Sequence, residues 1–222
     1  MRTALLFLLA LASSWAGAID LRPLYVPPGG DIHGVTAQSG PVDLQPAMEA
    51  AAASWNALIL DPWSLTIKYG WSDSIPGVLA QYWGWWLPFG DQRHFQARIL
   101  FNPSFDWTAF DLPTVARHEL GHSMVGVGPR WDSEVADGDV DILAPLNFAG
   151  SSFPITEGHL ADPTSLMYPF LAPGQVKTIT AMDLDVAMQV QGFTQYGPVP
   201  ELSTIFAVLI GAAFLYPRLR RA

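Results

Sequence analysis

The spacing of three residues constrains this chain more than any other feature. His118, Glu119 and His122 stand within "DLPTVARHELGHSMVGVG". On an α-helix, positions i and i+4 share a face about 6 Å apart along the axis, so two imidazoles can close on one metal ion. The surrounding residues predict that helix. Asp111 can cap it, Pro113 suits its first turn, and Gly126 or Gly128 can end it. Glu119 follows the first histidine directly and can reach a water beside the ion. The short pattern H-E-x-x-H recurs by chance, and two histidines on a solvated helix face are the plain alternative.

A hydrolytic zinc centre uses three protein ligands and keeps a position open; the metal acidifies a water, and a carboxylate takes its proton. The candidates are the other three histidines, His33, His94 and His159, of which His33 and His94 otherwise read as surface residues; Asp132 joins them only through a family resemblance, since some members use an aspartate as third ligand. A further acidic stretch, "DSEVADGDVD", holds Asp132, Glu134, Asp137, Asp139 and Asp141. Oxygens at alternate positions suit calcium, but the twelve-residue calcium loop is incomplete, and a solvated acidic loop is the alternative.

The remaining segments predict an α+β fold with a mixed sheet, an active-site helix and a C-terminal helix. "VDLQPAMEAAAASWNALILDP" reads as a first helix. "SLTIKYGW" alternates like a strand, "GVLAQYWGWWLPFGD" like a strand with a hairpin, and "HFQARILFNPS" like a further strand. "TITAMDLDVAMQVQGF" reads as the last helix, with Thr180 as cap and Gly192 as stop. Trp83, Trp85 and Trp86 read as hairpin packing or as an aromatic rim for a substrate or glycan.

Both ends differ in character from the middle. Residues 1–18 carry Arg2, an apolar run and Ala16-Gly17-Ala18, the pattern of a secretory signal peptide. Residues 198–222 carry Pro200-Glu201, an apolar run from Leu202 to Tyr216, then Arg218, Arg220 and Arg221. This tail resembles the PEP-CTERM sorting signal of Gram-negative bacteria, with Leu202 where a second proline is usual. The resemblance implies processing by an exosortase and export to the cell surface or matrix; a C-terminal membrane anchor is the simpler alternative. Residues 19–197 then form one domain. The whole chain carries −9, and without both ends seven basic and 19 acidic residues leave −12. Such a surface repels phosphate backbones, which argues against nucleic-acid partners. With no cysteine and so no disulfides, an exported chain relies on core packing or bound metal.

"SLMYP", at Ser165 to Pro169, resembles the Met-turn of metzincin zinc peptidases, the matrixin form especially. "LNFAG…FPITEGHL" is similar to the segment before the third ligand of leishmanolysin-like members. In that superfamily the third histidine precedes the Met-turn, as His159 precedes Met167. The resemblance covers most of residues 40–193 and implies zinc bound by His118, His122 and His159, with Glu119 as general base of an endopeptidase. It departs in two places. Val125 stands where a glycine is usual, with Gly126 following, and a long insertion delays the third histidine. The resemblance also implies that a peptide substrate lies along an edge strand, for which Ala97 to Ser104 is the candidate. A surface or matrix component that keeps the fold without catalysis is the competing reading, and the presence of Glu119 argues against it.

Overall fold

The computed structural model describes residues 18–143 and 146–197. The expected signal peptide, all but its last residue, and the expected sorting tail lie outside these residues. Among the described residues, no helix is long and apolar enough to cross a membrane.

The fold is α+β. Its main sheet holds β1 (Ile19–Tyr25), β2 (Trp63–Trp71), β3 (Ala80–Trp86) and β4 (His94–Phe101) in the order β1-β2-β4-β3. β1, β2 and β4 are parallel, and β3 is antiparallel to β4. The crossover from β1 to β2 carries α1 (Gln45–Asn56), since parallel neighbours need a long connection. β2 alternates at Leu65, Ile67 and Tyr69, all buried, and ends in a fully apolar run.

α1 buries Ala47, Met48, Ala51, Ala52 and Trp55, a stripe at helical spacing. The small alanines let it lie close to α2 (Leu112–Gly121), and the Trp55 indole donates to the Arg117 carbonyl at 3.0 Å. Trp55 is fully buried. Replacing it with alanine would cost about 3–5 kcal/mol and loosen α2 at the level of the site.

α2 starts as its sequence predicts. The Asp111 carboxylate accepts from the Thr114 amide at 2.9 Å, and Pro113 stands in the first turn. Regular helix stops at Gly121, with His122 as its C-cap, earlier than Gly126. Beyond it come a short α3 (Pro129–Glu134), a small antiparallel sheet of β5 (Asp139–Asp141), β6 (Ser152–Thr156) and β7 (His159–Leu160), and α4 (Ala181–Gln191). α4 has the predicted cap and stop: Thr180 and Asp183 form a reciprocal capping box, and Gly192 is left-handed with φ 63°.

Two expectations need correction. β4, the expected edge strand, lies inside the sheet between β2 and β3. The sheet's edges are β1 and β3; β3 rather than β4 is the edge on the cleft side, because the β3–β4 hairpin folds outward and leaves the parallel side of β4 for β2. β1 was not foreseen. Its sequence, IDLRPLY, mixes charge and proline with apolar residues, and only pairing with β2 makes it a strand.

Candidate metal centre

The structure brings His118, His122 and His159 together. One ligand atom from each lies within 4.8 Å of the others. The ring centroids are 4.8 Å apart for His118–His122, 5.2 Å for His118–His159 and 4.8 Å for His122–His159. The first two come from adjacent turns at the end of α2. The third comes from the turn joining β6 to β7, where Glu157 (φ 51°) and Gly158 (φ 75°) both take positive φ, as the primed hairpin turns demand.

Gly126 marks a close approach of two chain segments. Its φ is 92°, and a β-carbon there would stand 2.7 Å from the Gly158 carbonyl oxygen and 2.7 Å from His122 Nδ1. The chain leaving α2 therefore passes directly against the turn that presents His159. Met167 packs from below. It is fully buried, and a β-carbon on Gly121 would collide with its sulfur. The segment 165–169 thus supports the end of α2 through Met167.

The outer nitrogen of each imidazole meets a backbone carbonyl. His118 Nδ1 lies 2.8 Å from Leu166 O, His122 Nδ1 2.9 Å from Val125 O, and His159 Nδ1 2.7 Å from Glu157 O. A carbonyl only accepts, so each Nδ1 carries the proton and each Nε2 presents a bare lone pair. His118 Nε2 and His122 Nε2 then face each other at 3.1 Å. Two lone pairs at that distance need a cation between them. A proton is a poor candidate. Burial lowers the His118 pKa to about 4 and the His122 pKa well below its ordinary value, and it lowers that of His159 as well. The donor set therefore fits a metal ion.

Glu119 lines the same cleft. It is 6% exposed, and its Oε2 has no hydrogen-bond partner. Burial raises its pKa to about 8, opposed by a hydrogen bond from the Tyr82 backbone amide. An orphaned carboxylate oxygen beside three bare imidazole nitrogens is costly to bury without a cation or a bound proton.

The cleft holds about 740 Å³. Its one wall is β3 and the turn before it, from Gly77 to Trp83; the opposite wall is Tyr168 to Leu171, and Phe105, Phe110 and Val115 add apolar surface. Tyr82 was missed by sequence reasoning, because alternation marks it only as an inward strand residue. Its hydroxyl lies 2.7 Å from His94 Nδ1.

Asp183 was also missed as more than a cap. It is fully buried and accepts from Ser165 Oγ, from the Leu166 amide at 3.0 Å and from the Met167 amide at 3.1 Å, besides Thr180. One carboxylate thereby fixes the segment 165–167, including the Leu166 carbonyl that orients His118. The only sequence signal was its place three residues after Thr180.

The other ligand candidates stand apart. His33 contacts Gln96, and Asp132 is exposed on α3. His94, read as a surface residue, is 4% exposed beneath the β3–β4 hairpin, where burial holds its pKa at about 4. Of the expected calcium ligands, Asp137, Asp139 and Asp141 bring oxygens within 4.8 Å of one another, whereas Asp132 and Glu134 do not join them. Three carboxylates at alternate positions of a solvent-facing strand adopt that arrangement without an ion as well. Trp83 stacks on Arg98, and Trp85 and Trp86 are more than one-third exposed.

Compared with known proteins, the chain matches no family model, and no curated protein is significantly similar to it.

Proposed function

We propose that this protein is a zinc-dependent endopeptidase of metzincin type. The observation that carries the reading is the pairing of Glu119's unpartnered, buried oxygen with three converging Nε2 lone pairs in one open cleft. A purely structural metal site would have no use for that carboxylate. Three neutral nitrogen ligands with room for a fourth group is the arrangement of hydrolytic zinc centres.

His118, His122 and His159 would hold the zinc. Zinc in such a ring acts as a Lewis acid and makes a water acidic enough to attack near neutral pH. Glu119 takes the proton from the attacking water and delivers it to the departing amine nitrogen. This carboxylate and Tyr82, on the strand that forms the cleft wall, line the same cleft. β3 is the sheet's free edge on that side, so its unpaired backbone groups can bind a peptide in extended form. The apolar residues of the cleft receive side chains and exclude water from the scissile bond.

The sequence of the two ends supports export, with the −12 middle segment acting on proteins or peptides at the cell surface or in the matrix. The deciding experiment is cleavage of casein or gelatin with and without a chelator, alongside zinc analysis of Glu119→Ala. That variant should keep its zinc and lose cleavage; retained cleavage removes Glu119 from the chemistry.

A further inference from the structure

The β3–β4 hairpin exposes more apolar surface than its packing needs. Trp86 is 38% exposed, Leu87 52%, Phe89 71% and Phe95 56%. These four side chains belong to one turn and its base, beyond the part of β3 that lines the cleft.

The position of this turn gives it meaning. β1, β2 and β4 are parallel, so their starts share one end of the sheet. Ile19 pairs with Trp63, and the β2–β4 register carried back from Ile67↔Ala97 sets Trp63 level with Arg93. β3 reaches the same end at Trp86, opposite His94. The last described residue returns there too. Gly197 N donates to Leu58 O at 2.8 Å, Tyr196 bridges Ile59, and Ile19 N donates to Ile59 O at 3.1 Å. The hairpin base is bound to the same region: Arg93 donates to Gln191 O at 2.8 Å and lies over the Phe193 ring at 4.7 Å. The point from which residues 198–222 continue thus sits on the hairpin's end of the sheet, whose full width spans about 14 Å at ordinary strand spacing.

Charge at this end is balanced on a chain that is acidic as a whole. Asp91 is paired with Arg93 and Arg130, and Asp20 with Arg22. Asp61 is occupied by Thr194 and Gln195. A lipid surface with anionic headgroups would repel the other acidic faces and accept this one. The sequence that follows Gly197 includes the apolar run Leu202 to Tyr216 with arginines after it. Tryptophan, leucine and phenylalanine at an exposed turn are the residues that partition into the lipid interface.

We propose that the hairpin tip, Trp86 to Phe89, inserts into the lipid bilayer beside the C-terminal apolar run. The chain then has a second membrane contact that fixes its orientation. The cleft wall, Gly77 to Trp83, lies further along β3 and stays in water.

The chain has no cysteine, so a single introduced thiol reports cleanly. Full-length Phe89→Cys and Val176→Cys, each carrying an environment-sensitive nitrobenzoxadiazole label, would be mixed with phosphatidylcholine–phosphatidylglycerol vesicles. Val176 is 66% exposed and precedes Lys177, which lines the cleft. The expected result is a several-fold rise and a blue shift of emission at position 89, with position 176 unchanged. A vesicle-bound chain whose label at 89 stays in water overturns the proposal, as does an equal response at both positions. Failure of the full chain to bind these vesicles overturns it too.

Discussion

The molecule on either side of Gly126 is built by different means. The apolar core runs through both sides, but before Gly126 strand ladders and two packed helices hold the backbone. After it and up to Ile179, regular structure among the described residues is one six-residue helix and three short strands. There, side chains hold backbone. Asp183 secures Leu166 and Met167, Asp185 secures Asn147 and Phe148, and Thr114 Oγ1 exchanges hydrogen bonds with both backbone groups of Lys177. Two of the three clustered histidines come from the first region and one from the second. The rigid half would set where an ion sits, and the irregular half would decide whether it is held. A loop can carry a ligand with a helix's precision when buried carboxylates replace the missing ladder.

The largest effect should come from the residue that serves chemistry in neither region's architecture. Glu119→Gln is expected to lower peptide cleavage by about 10²–10⁴-fold with zinc content unchanged, as metal analysis and initial rates will show. Asp183→Asn should come next. Loss of the carboxylate frees the Leu166 carbonyl, and zinc affinity is expected to fall about 10–100-fold in a competition titration with a chromogenic chelator. Ile67→Val, in the centre of β2, should cost only about 0.5–1.5 kcal/mol in urea unfolding and leave zinc affinity alone. Equal losses of affinity in both variants would erase the distinction between the regions.

Zinc removal sharpens the same contrast. Hydrogen exchange should accelerate at residues 152–168 on chelation, while amides of β2 and β4 keep their protection. The metal-free protein should also show a stability maximum near pH 6.5. Burial depresses the three histidines, so an unfolded chain gains protons that the folded one refuses, and stability falls as pH drops from about 6.5 toward 4. Glu119 has the opposite sign. Its pKa, raised from 4.5 to about 8, means that the folded chain holds a proton the unfolded one has released, so its contribution falls as pH rises from about 4.5 to 8; below about 6.5 the three histidines outweigh it, and above that it prevails. Thermal unfolding across that range, with and without added zinc, will read both limbs.

The same division governs what could be seen in the sequence. α2 and α4 were legible because caps, prolines and glycines are local signals, and β2 because alternation is local too. His159 was reached through its order relative to Met167 rather than by any periodicity. The edge position of β3 was not legible. Which neighbour β4 takes depends on a parallel pairing across 30 residues, and no local pattern records it. His94 looked like a surface residue for a similar reason: its burial comes from the hairpin and from Gly84 and Gly128 folding over its ring. Nor does sequence reveal that Tyr82 turns its amide toward Glu119, since that follows from strand register.

Each imidazole spends its outer nitrogen on a main-chain carbonyl, and none on a carboxylate. The ligand ring is therefore electrically neutral, and a dication bound there would be offset only from outside the ring, by the Glu119 and Glu157 carboxylates that line the cleft. An anionic group entering the fourth position would meet almost the full charge of the ion. Hydroxamates, phosphonates and thiolates should accordingly bind far more tightly than neutral amides of the same shape, with an affinity that weakens as the inhibitor is protonated.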